Sequence, residues 1–336
     1  MPIGLWLANE TNQQLGETEL QRFREWLDEK ELLPFTLNGF PFGDFHQKIV
    51  KHEVYKPTWA SESRLEYTLA LARNLSVLVS GNLSLATIST LPLGWPPGDE
   101  DFITACGKNL TKCAAELRKL RDQTGVHIML CIEPEPGCIL DTADDVVDFF
   151  DKHIDDSARE YIGVCHDICH SAVMFEPQKS AVEEYRRNSI RIGKCQVSSA
   201  IEANFLHSDN PDSLLAALSK FHEPRYLHQT CIRNEANQIE FFEDLNQAIR
   251  SSESENGTWR THFHVPIYAK AIGQLATTQN EIIEFLNCID ASNMHFELET
   301  YAWDVLPPDV SNLDLETNIE REIVWFKETI EKLSAN

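Results

Sequence analysis

Residue types that bind metal ions or move protons recur at the carboxyl ends of predicted strands in this chain. Glu133 follows the apolar run 127–132, and Asp167 follows the run 161–165 after one intervening histidine. In a barrel of parallel strands, side chains at these ends converge on one mouth, so they are active-site candidates. The candidates of this kind are Glu133, Asp167, His170, Gln196, His264 and Glu299.

Carboxylate, amide and imidazole groups that converge in this way make a candidate site for a divalent metal ion. Mixed oxygen and nitrogen ligands suit Mn²⁺, Zn²⁺, Fe²⁺ or Co²⁺ better than Ca²⁺, which takes oxygen ligands. A bound ion would polarise a carbonyl or hydroxyl of the substrate. Glutamates facing each other across it would move a proton from one carbon to another.

Each of these residues also has a purely structural interpretation. A glutamate at a strand end often caps a helix or forms an ion pair, and Asp167 with His170 fits a helix N-cap and its neighbour. His262 and His264 share one strand face, and either fits a core histidine that bonds to backbone; His262 is the weaker ligand candidate. Cys165 and Cys169 have neither redox nor zinc-knuckle spacing and are predicted to be small buried residues, whereas His228 has no assigned place.

Strand and helix candidates alternate along the whole chain. The clearest helix has apolar residues at spacings of three and four from Phe102 to Leu120, with Gly125 as its stop. Strands separated by helices imply parallel pairing through right-handed crossovers, which predicts an α/β protein with a closed (β/α)8 TIM barrel. A doubly wound sheet is the runner-up. The predicted strands are 3–8, 34–40, 86–91, 127–133, 161–167, 190–197, 259–265 and 294–300.

The chain is expected to form a single barrel domain over residues 1–336. Its composition does not shift midway, and no repeat or low-complexity tract interrupts it. The region 225–258 fits neither a plain strand nor a plain helix and is predicted to be an insertion or loop region.

The charge balance and the cysteine count restrict the partners and the compartment. The chain has 53 acidic and 29 basic residues among 336, a formal net charge of −24, which disfavours a binder of nucleic-acid backbones. No apolar run is long enough for a membrane span, and the first residues lack a signal-peptide pattern. Nine cysteines without a regular framework indicate reduced thiols, so a cytoplasmic protein with a small-molecule partner is expected.

The strand-end residues resemble those of the xylose isomerase-like barrel superfamily, which includes sugar isomerases, epimerases and endonuclease IV. The string Val164-Cys165-His166-Asp167-Ile168-Cys169-His170 is similar to the motif in which an aspartate and a histidine three residues on bind metal. Longer strings resemble the metabolite traffic protein EboE family. They are FTLNGFPFG (35–43), VYKPTW (54–59), ISTLPLGW (88–95), EPEPG (133–137), HFHVP (262–266) and ETYAWDVLP (299–307).

The resemblance implies Glu133, Asp167, Gln196 and Glu299 as a ring of metal ligands. His170 and His264 would be further ligands or acid–base groups. It also implies a role in bacterial, often cyanobacterial, gene clusters that make or move a secondary-metabolite precursor, with other proteins of the cluster as possible partners.

The chain departs from the family pattern at two places. Gln196 stands where many superfamily members have a histidine, which weakens affinity for a soft ion and leaves a hard ion or an empty site as alternatives. The EboE pattern also has a strand and helix before the segment that matches residues 3–8. The barrel is therefore expected to lack its first strand–helix unit, with 259–265 a ligand-bearing segment outside seven barrel strands.

Three functions compete on this basis. The leading one is a metal-dependent isomerase or epimerase of a small polyol or sugar-like metabolite, in which Glu133 and Glu299 hold the metal or move the proton. Lys194 or His264 would then neutralise charge on an enediolate oxygen. The second is a carrier that keeps the fold without chemistry, and the third, an endonuclease IV-like phosphodiesterase, is disfavoured by the net charge.

Overall fold

The computed structural model describes residues 1–43, 45, 47–79, 83–251, 257–300, 303, 306–307 and 314–334. Within it the chain divides into two compact units. Unit 1 comprises Met1–Pro134, Cys138–His166 and Tyr185–Cys195. Unit 2 comprises Glu135–Gly137, Asp167–Glu184 and Gln196–Asn336.

The strands of the described residues are short and are labelled in chain order. They are β1 (Pro2–Trp6), β2 (Leu33–Asn38), β3 (Ala86–Thr90), β4 (Ile128–Ile132), β5 (Ile162–Asp167), β6 (Ile192–Val197), β7 (Ile201–Asn204), β8 (Thr230–Arg233), β9 (Ile239–Phe242), β10 (Thr258–Thr261), β11 (Ala271–Ile272), β12 (Leu275–Thr277) and β13 (His295–Leu298).

The α-helices alternate with the strands over most of the chain. They are α1 (Asn9–Gln14), α2 (Glu17–Glu29), α3 (Glu62–Leu78), α4 (Glu100–Thr124), α5 (Ala143–His153), α6 (Ile168–Val173), α7 (Gln178–Arg187), α8 (Pro211–Ser219), α9 (Leu245–Arg250), α10 (Gln279–Cys288) and α11 (Leu315–Ser334).

The first sheet is a parallel seven-stranded sheet in the order β1-β2-β3-β4-β5-β6-β13, so its strands follow chain order. Neighbouring strands pair in parallel, for example Ser89 of β3 with Cys131 of β4. The middle strands β3, β4 and β5 are buried along their whole length, as expected when helices cover the sheet. This topology confirms the predicted α/β fold of the TIM-barrel type.

In unit 1, α4 illustrates how the sequence specifies its elements. Asp99 caps its first turn by accepting a hydrogen bond from the backbone N–H of Phe102, 2.8 Å away. The predicted apolar face is buried, including Leu110 and Leu117. The helix ends at Gly125, whose φ of +75° is the left-handed conformation typical of a glycine C-cap.

Unit 2 contains a second sheet in the order β11-β12-β7-β10-β8-β9. Its pairings are antiparallel, with Trp259 of β10 opposite Ala203 of β7 and Ile232 of β8. Trp259 belongs to a buried cluster with Phe263 and Leu218, so this sheet has its own hydrophobic core.

The segment 259–265 therefore does not form an eighth barrel strand. Its first residues belong to β10 in the antiparallel sheet, which corrects the expectation of eight strands and agrees with the alternative of seven. Alternating apolar residues do not distinguish a parallel strand from an antiparallel one. The region 225–258 contains β8, β9 and α9, and its residues 252–256 lie outside the described part.

None of the described helices is long and apolar enough to cross a membrane. The nine cysteines, all of them among the described residues, are not joined in disulfides, and eight of them, including Cys165 and Cys169, are buried.

Candidate metal centre

Asp167 ends β5 and begins α6, and its two carboxylate oxygens have different surroundings. Oδ1 accepts hydrogen bonds from the backbone N–H of His170 at 3.0 Å and from the Ser198 hydroxyl at 2.6 Å. Oδ2 has no hydrogen-bond partner among the described residues, although the side chain is buried. An ionised oxygen is costly to bury without a donor or a cation, so Oδ2 marks a position where a cation would be favoured.

Three buried histidines of unit 2 lie beside Asp167. His170 is on α6, and His262 and His264 follow β10, where their spacing of two places them on one side of the chain. Nε2 of His262 is 3.2 Å from Nε2 of His170 and 3.2 Å from Nε2 of His264. Nε2 of both His170 and His264 is 3.8 Å from Asp167 Oδ2, beyond hydrogen-bond distance.

The hydrogen bonds at the other ring nitrogens determine which tautomers are present. Nδ1 of His264 lies 2.5 Å from the backbone oxygen of Glu299, which can only accept, so Nδ1 carries the proton. Nδ1 of His262 lies 2.8 Å from the side-chain oxygen of Gln229 and likewise donates. Each ring in its neutral form therefore has a lone pair on Nε2. The two lone pairs face each other across 3.2 Å.

Burial keeps these two imidazoles neutral. It lowers the pKa of His264 to about 4, against the opposing effect of the Asp167 charge. Burial, and then the proximity of the other histidines, places the pKa of His262 well below its ordinary value. Burial alone would raise the pKa of Asp167, but the histidines and the Ser198 hydroxyl outweigh it, so the pKa is lowered and the carboxylate is ionised.

The donor set fits a divalent transition metal. Asp167, His170 and His264 place one ligand atom each within 4.8 Å of one another, as do Glu135, His170 and His262. Cys169 forms a third such group with His262 and His264. Each of these groups contains two of the same three imidazoles, so together they describe one centre. Imidazole with carboxylate suits zinc, iron, cobalt or manganese.

Two further carboxylates of unit 2 flank this centre. Oε2 of Glu299 is 3.9 Å from Nδ1 of His264, and the Glu299 side chain is 19% exposed, more than the buried histidines. Glu135 lies on the other side, with Oε1 3.7 Å from Nδ1 of His262. Glu299 is therefore the carboxylate of this group with the best access for a substrate.

The sequence-predicted residues are distributed over both units. Asp167, His170, His264 and Glu299 come together in unit 2, which also contains Gln196, buried at the end of β6. Glu133 is in unit 1, where it is buried and its backbone N–H donates to Thr90. Lys194 is also in unit 1 and fully buried, with Nζ donating to the Ser89 hydroxyl at 3.2 Å. The catalytic roles of Glu133 and Lys194 remain predictions.

The sequence pattern makes His262 the weaker ligand candidate and assigns no role to Glu135, Gln229 and His228. In the structure, His262 is the central imidazole of the three. The signal for it is the His-x-His spacing, which places two rings on one face. Gln229 and Glu135 are 94 residues apart in the chain and form a hydrogen bond that no local pattern indicates.

Neither a protein-family model nor a curated protein matches this chain. Solved structures do, among them a xylose isomerase domain protein from Planctomyces limnophilus (TM-score 0.49, 10% identity, 100% of this chain and 90% of that one). A xylose isomerase-like TIM barrel protein from Mycobacterium smegmatis in complex with magnesium has a TM-score of 0.46 and 11% identity, and the match covers 95% of this chain and 80% of that one. A D-psicose 3-epimerase in the presence of D-fructose has a TM-score of 0.40 and 16% identity, and the match covers 66% of this chain and 72% of that one.

These likenesses are too distant to assign a substrate or a reaction to this chain. Its own residues define a coarser class. It is an α/β protein of the TIM-barrel type with a buried candidate metal centre of three histidines and an aspartate in unit 2.

Proposed function

We propose that this chain is a divalent-metal-dependent enzyme of the sugar isomerase or epimerase type, acting on a small polyol or sugar-like metabolite. Asp167, His170, His262 and His264 would hold the ion. One observation carries the proposal: two neutral imidazoles direct lone pairs at each other beside a buried carboxylate oxygen that has no hydrogen-bond donor among the described residues. A cation between these groups relieves both conflicts.

When bound, the ion would polarise a carbonyl or hydroxyl oxygen of the substrate. Asp167 is held in place by Ser198 and the first turn of α6, so its Oδ2 keeps a fixed direction. Glu299, the more exposed carboxylate, would accept a proton from the substrate carbon next to the carbonyl. Isomerisation or epimerisation also needs a group that returns a proton to the substrate. From the sequence, Glu133 is the candidate for this role, and Lys194 is a candidate for neutralising the charge on an enediolate oxygen.

The resemblance of several sequence strings to the EboE family supports a proposal for the cellular role. We place the reaction in the processing or transport of a secondary-metabolite precursor, with proteins of the same gene cluster as partners. Nine cysteines that are not joined in disulfides support a reducing compartment such as the cytoplasm. Gln196, a neutral amide in place of a histidine, supports the alternative of a non-catalytic carrier.

Exchange of substrate hydrogen with solvent tests the proposed reaction. Metal-loaded protein is incubated in D₂O with a panel of ketoses and polyols, and loss of carbon-bound proton signals is followed by NMR. The wild type is expected to exchange one position next to a carbonyl and Glu299→Gln to lose this exchange. The exposed Glu316→Gln on α11 is the matched control and should behave like the wild type.

Wild-type exchange in Glu299→Gln would contradict the role of Glu299. Binding of a ketose or polyol without any hydrogen exchange during long incubation would contradict the enzymatic function and favour the carrier function.

A further inference from the structure

We propose that the dipeptide His228–Gln229, together with Glu135, positions His262 in the metal centre. The inference rests on the proposed metal binding and extends it to His228 and Gln229, which are not among the candidate ligands. It also gives the region 225–258 a function, since this region supplies the dipeptide.

The antiparallel sheet places Gln229 opposite His262. In the ladder between β8 and β10, Thr230 pairs with Thr261 and Arg233 pairs with Thr258. The next residues continue this register, because the backbone N–H of His262 donates to the backbone oxygen of Gln229 at 2.8 Å. A ladder register fixes which side chains meet, so the contact follows from the pairing of β8 with β10.

Gln229 also bonds to the His262 ring and thereby sets its tautomer. The Gln229 amide nitrogen donates to Glu135 Oε1 at 2.9 Å, and a carboxylate only accepts, so this orients the amide. The amide oxygen then faces Nδ1 of His262 at 2.8 Å and accepts its proton. Nε2 of His262 is left with the lone pair, directed at His170 and His264. Gln229 is fully buried, and Glu135 and His262 nearly so, which shields both hydrogen bonds from water.

His228 contacts the backbone oxygen of His262. Its Nδ1 lies 3.1 Å from the backbone oxygen of His262, and its Nε2 lies 2.9 Å from Glu223 Oε1. Its ring stacks on Phe263 at a centroid distance of 4.9 Å and an interplanar angle of 26°. The dipeptide therefore contacts the backbone N–H, the backbone oxygen and the ring of a single histidine.

Such hydrogen bonds behind a metal-binding histidine orient the ring and raise its basicity, and their loss typically reduces metal affinity roughly 10–100-fold. We therefore expect Gln229→Leu to weaken binding of Zn²⁺ by a factor in this range. Gln279→Leu is the matched control, because Gln279 is equally buried but bonds to the backbone of Ile267.

The test measures affinity and tautomer separately in the full-length chain. Zn²⁺ affinity is obtained by competition with a chelator, and the His262 tautomer by NMR of metal-free protein labelled with ¹⁵N-histidine, assigned with His262→Asn. We expect the Nδ1–H tautomer in the wild type and in Gln279→Leu, and a mixture in Gln229→Leu. Glu135→Gln provides a second variant if Gln229→Leu fails to fold. It should also give a mixture of His262 tautomers, because the replacement amide both donates and accepts and can therefore hold the Gln229 amide in either orientation.

An Nε2–H tautomer of His262 in the metal-free wild type would overturn the inference. Unchanged affinity and tautomer in the folded Gln229→Leu or Glu135→Gln variant would do the same. If the wild type binds no metal, the proposed function fails, while the tautomer measurement still decides whether Gln229 positions the ring.

Discussion

At the scale of single residues, the histidine cluster is an arrangement that folding alone does not favour. Two neutral rings bring lone pairs within 3.2 Å, and in the described part of the chain one buried oxygen of Asp167 has no donor. Buried polar atoms usually have partners, and an orphaned one costs about 1–3 kcal/mol. Such a local conflict is typical of a site that is completed by a ligand.

The Asp167 carboxylate provides a direct test at this scale. In Asp167→Asn, Oδ1 still accepts from Ser198, but the amide nitrogen replaces Oδ2 and presents N–H groups to the metal position. We expect Zn²⁺ affinity to fall by more than about tenfold. Loss of a residue that only supports a ligand already lowers metal affinity by about this factor, and Asp167 is proposed as a ligand itself.

Asp244→Asn is the control, because Asp244 caps α9 as Asp167 caps α6. Equal Zn²⁺ affinities of Asp167→Asn and the wild type would contradict the role of Asp167 as a metal ligand.

A buried carboxyl elsewhere in unit 2 predicts a pH dependence of stability. Burial raises the pKa of Glu322 to about 7, although the Thr300 hydroxyl at 2.6 Å and the backbone N–H of Ile267 at 3.1 Å donate to its Oε1. The unfolded chain loses this proton near pH 4.5. Between these values the folded state binds more protons, so the contribution to stability is full below pH 4.5 and is lost as the pH rises through 7.

We expect Glu322→Gln to become more stable relative to the wild type as the pH rises from 5 to 8. The amide oxygen still accepts both hydrogen bonds, and the uncharged group no longer has to release a proton. The relative gain is on the order of 3 kcal/mol, from about 1.4 kcal/mol per pKa unit. Denaturant unfolding at both pH values measures it, and a constant difference between the two proteins would contradict the raised pKa.

At the scale of elements, the C-terminus of α4 depends on a left-handed residue. Gly125 has a φ of +75°, and a Cβ there would contact nothing within 4 Å among the described residues, so backbone strain is what opposes alanine. Gly125→Ala is expected to lower the free energy of unfolding by about 1 kcal/mol.

Gly43→Ala is the matched control, since a Cβ at Gly43 also has no described atom within 4 Å and Gly43 does not have a positive φ. It should stay within about 0.5 kcal/mol of the wild type. Denaturant unfolding of both variants makes the comparison, and equal stabilities would contradict the strain argument.

The barrel strands were predictable because buried parallel strands are continuous apolar runs bounded by polar residues. For β4 and β5, the predicted and observed bounds differ by one residue at each end or less. The antiparallel sheet was harder to predict. Its strands are two to four residues long, and β9 is largely exposed, so they lack a clear periodic pattern.

The site was predictable to the extent that its residues end strands. Asp167 and His170 follow β5 directly, and the sequence placed both at a metal site. Gln229 and Glu135 were not predictable, because their meeting depends on the register of β8 against β10 and on a loop 94 residues away. Tertiary pairing of this kind leaves no local signal.

At the scale of the whole molecule, the formal charge of −24 favours attraction of cations over attraction of polyanions. The surface charge alone does not define a site, because exposed carboxylates bind ions weakly. What distinguishes the centre in unit 2 is that a buried carboxylate and three buried imidazoles share one location.

The metal content of the purified chain tests the central claim most directly. Elemental analysis is made after incubation with Zn²⁺ and removal of free ion, on the wild type, on His264→Asn, and on the exposed-histidine control His222→Asn. We predict about one ion per chain in the wild type and the control, as expected for a single centre, and a large loss in His264→Asn. A wild type without bound metal, or His264→Asn with unchanged content, would contradict the metal centre.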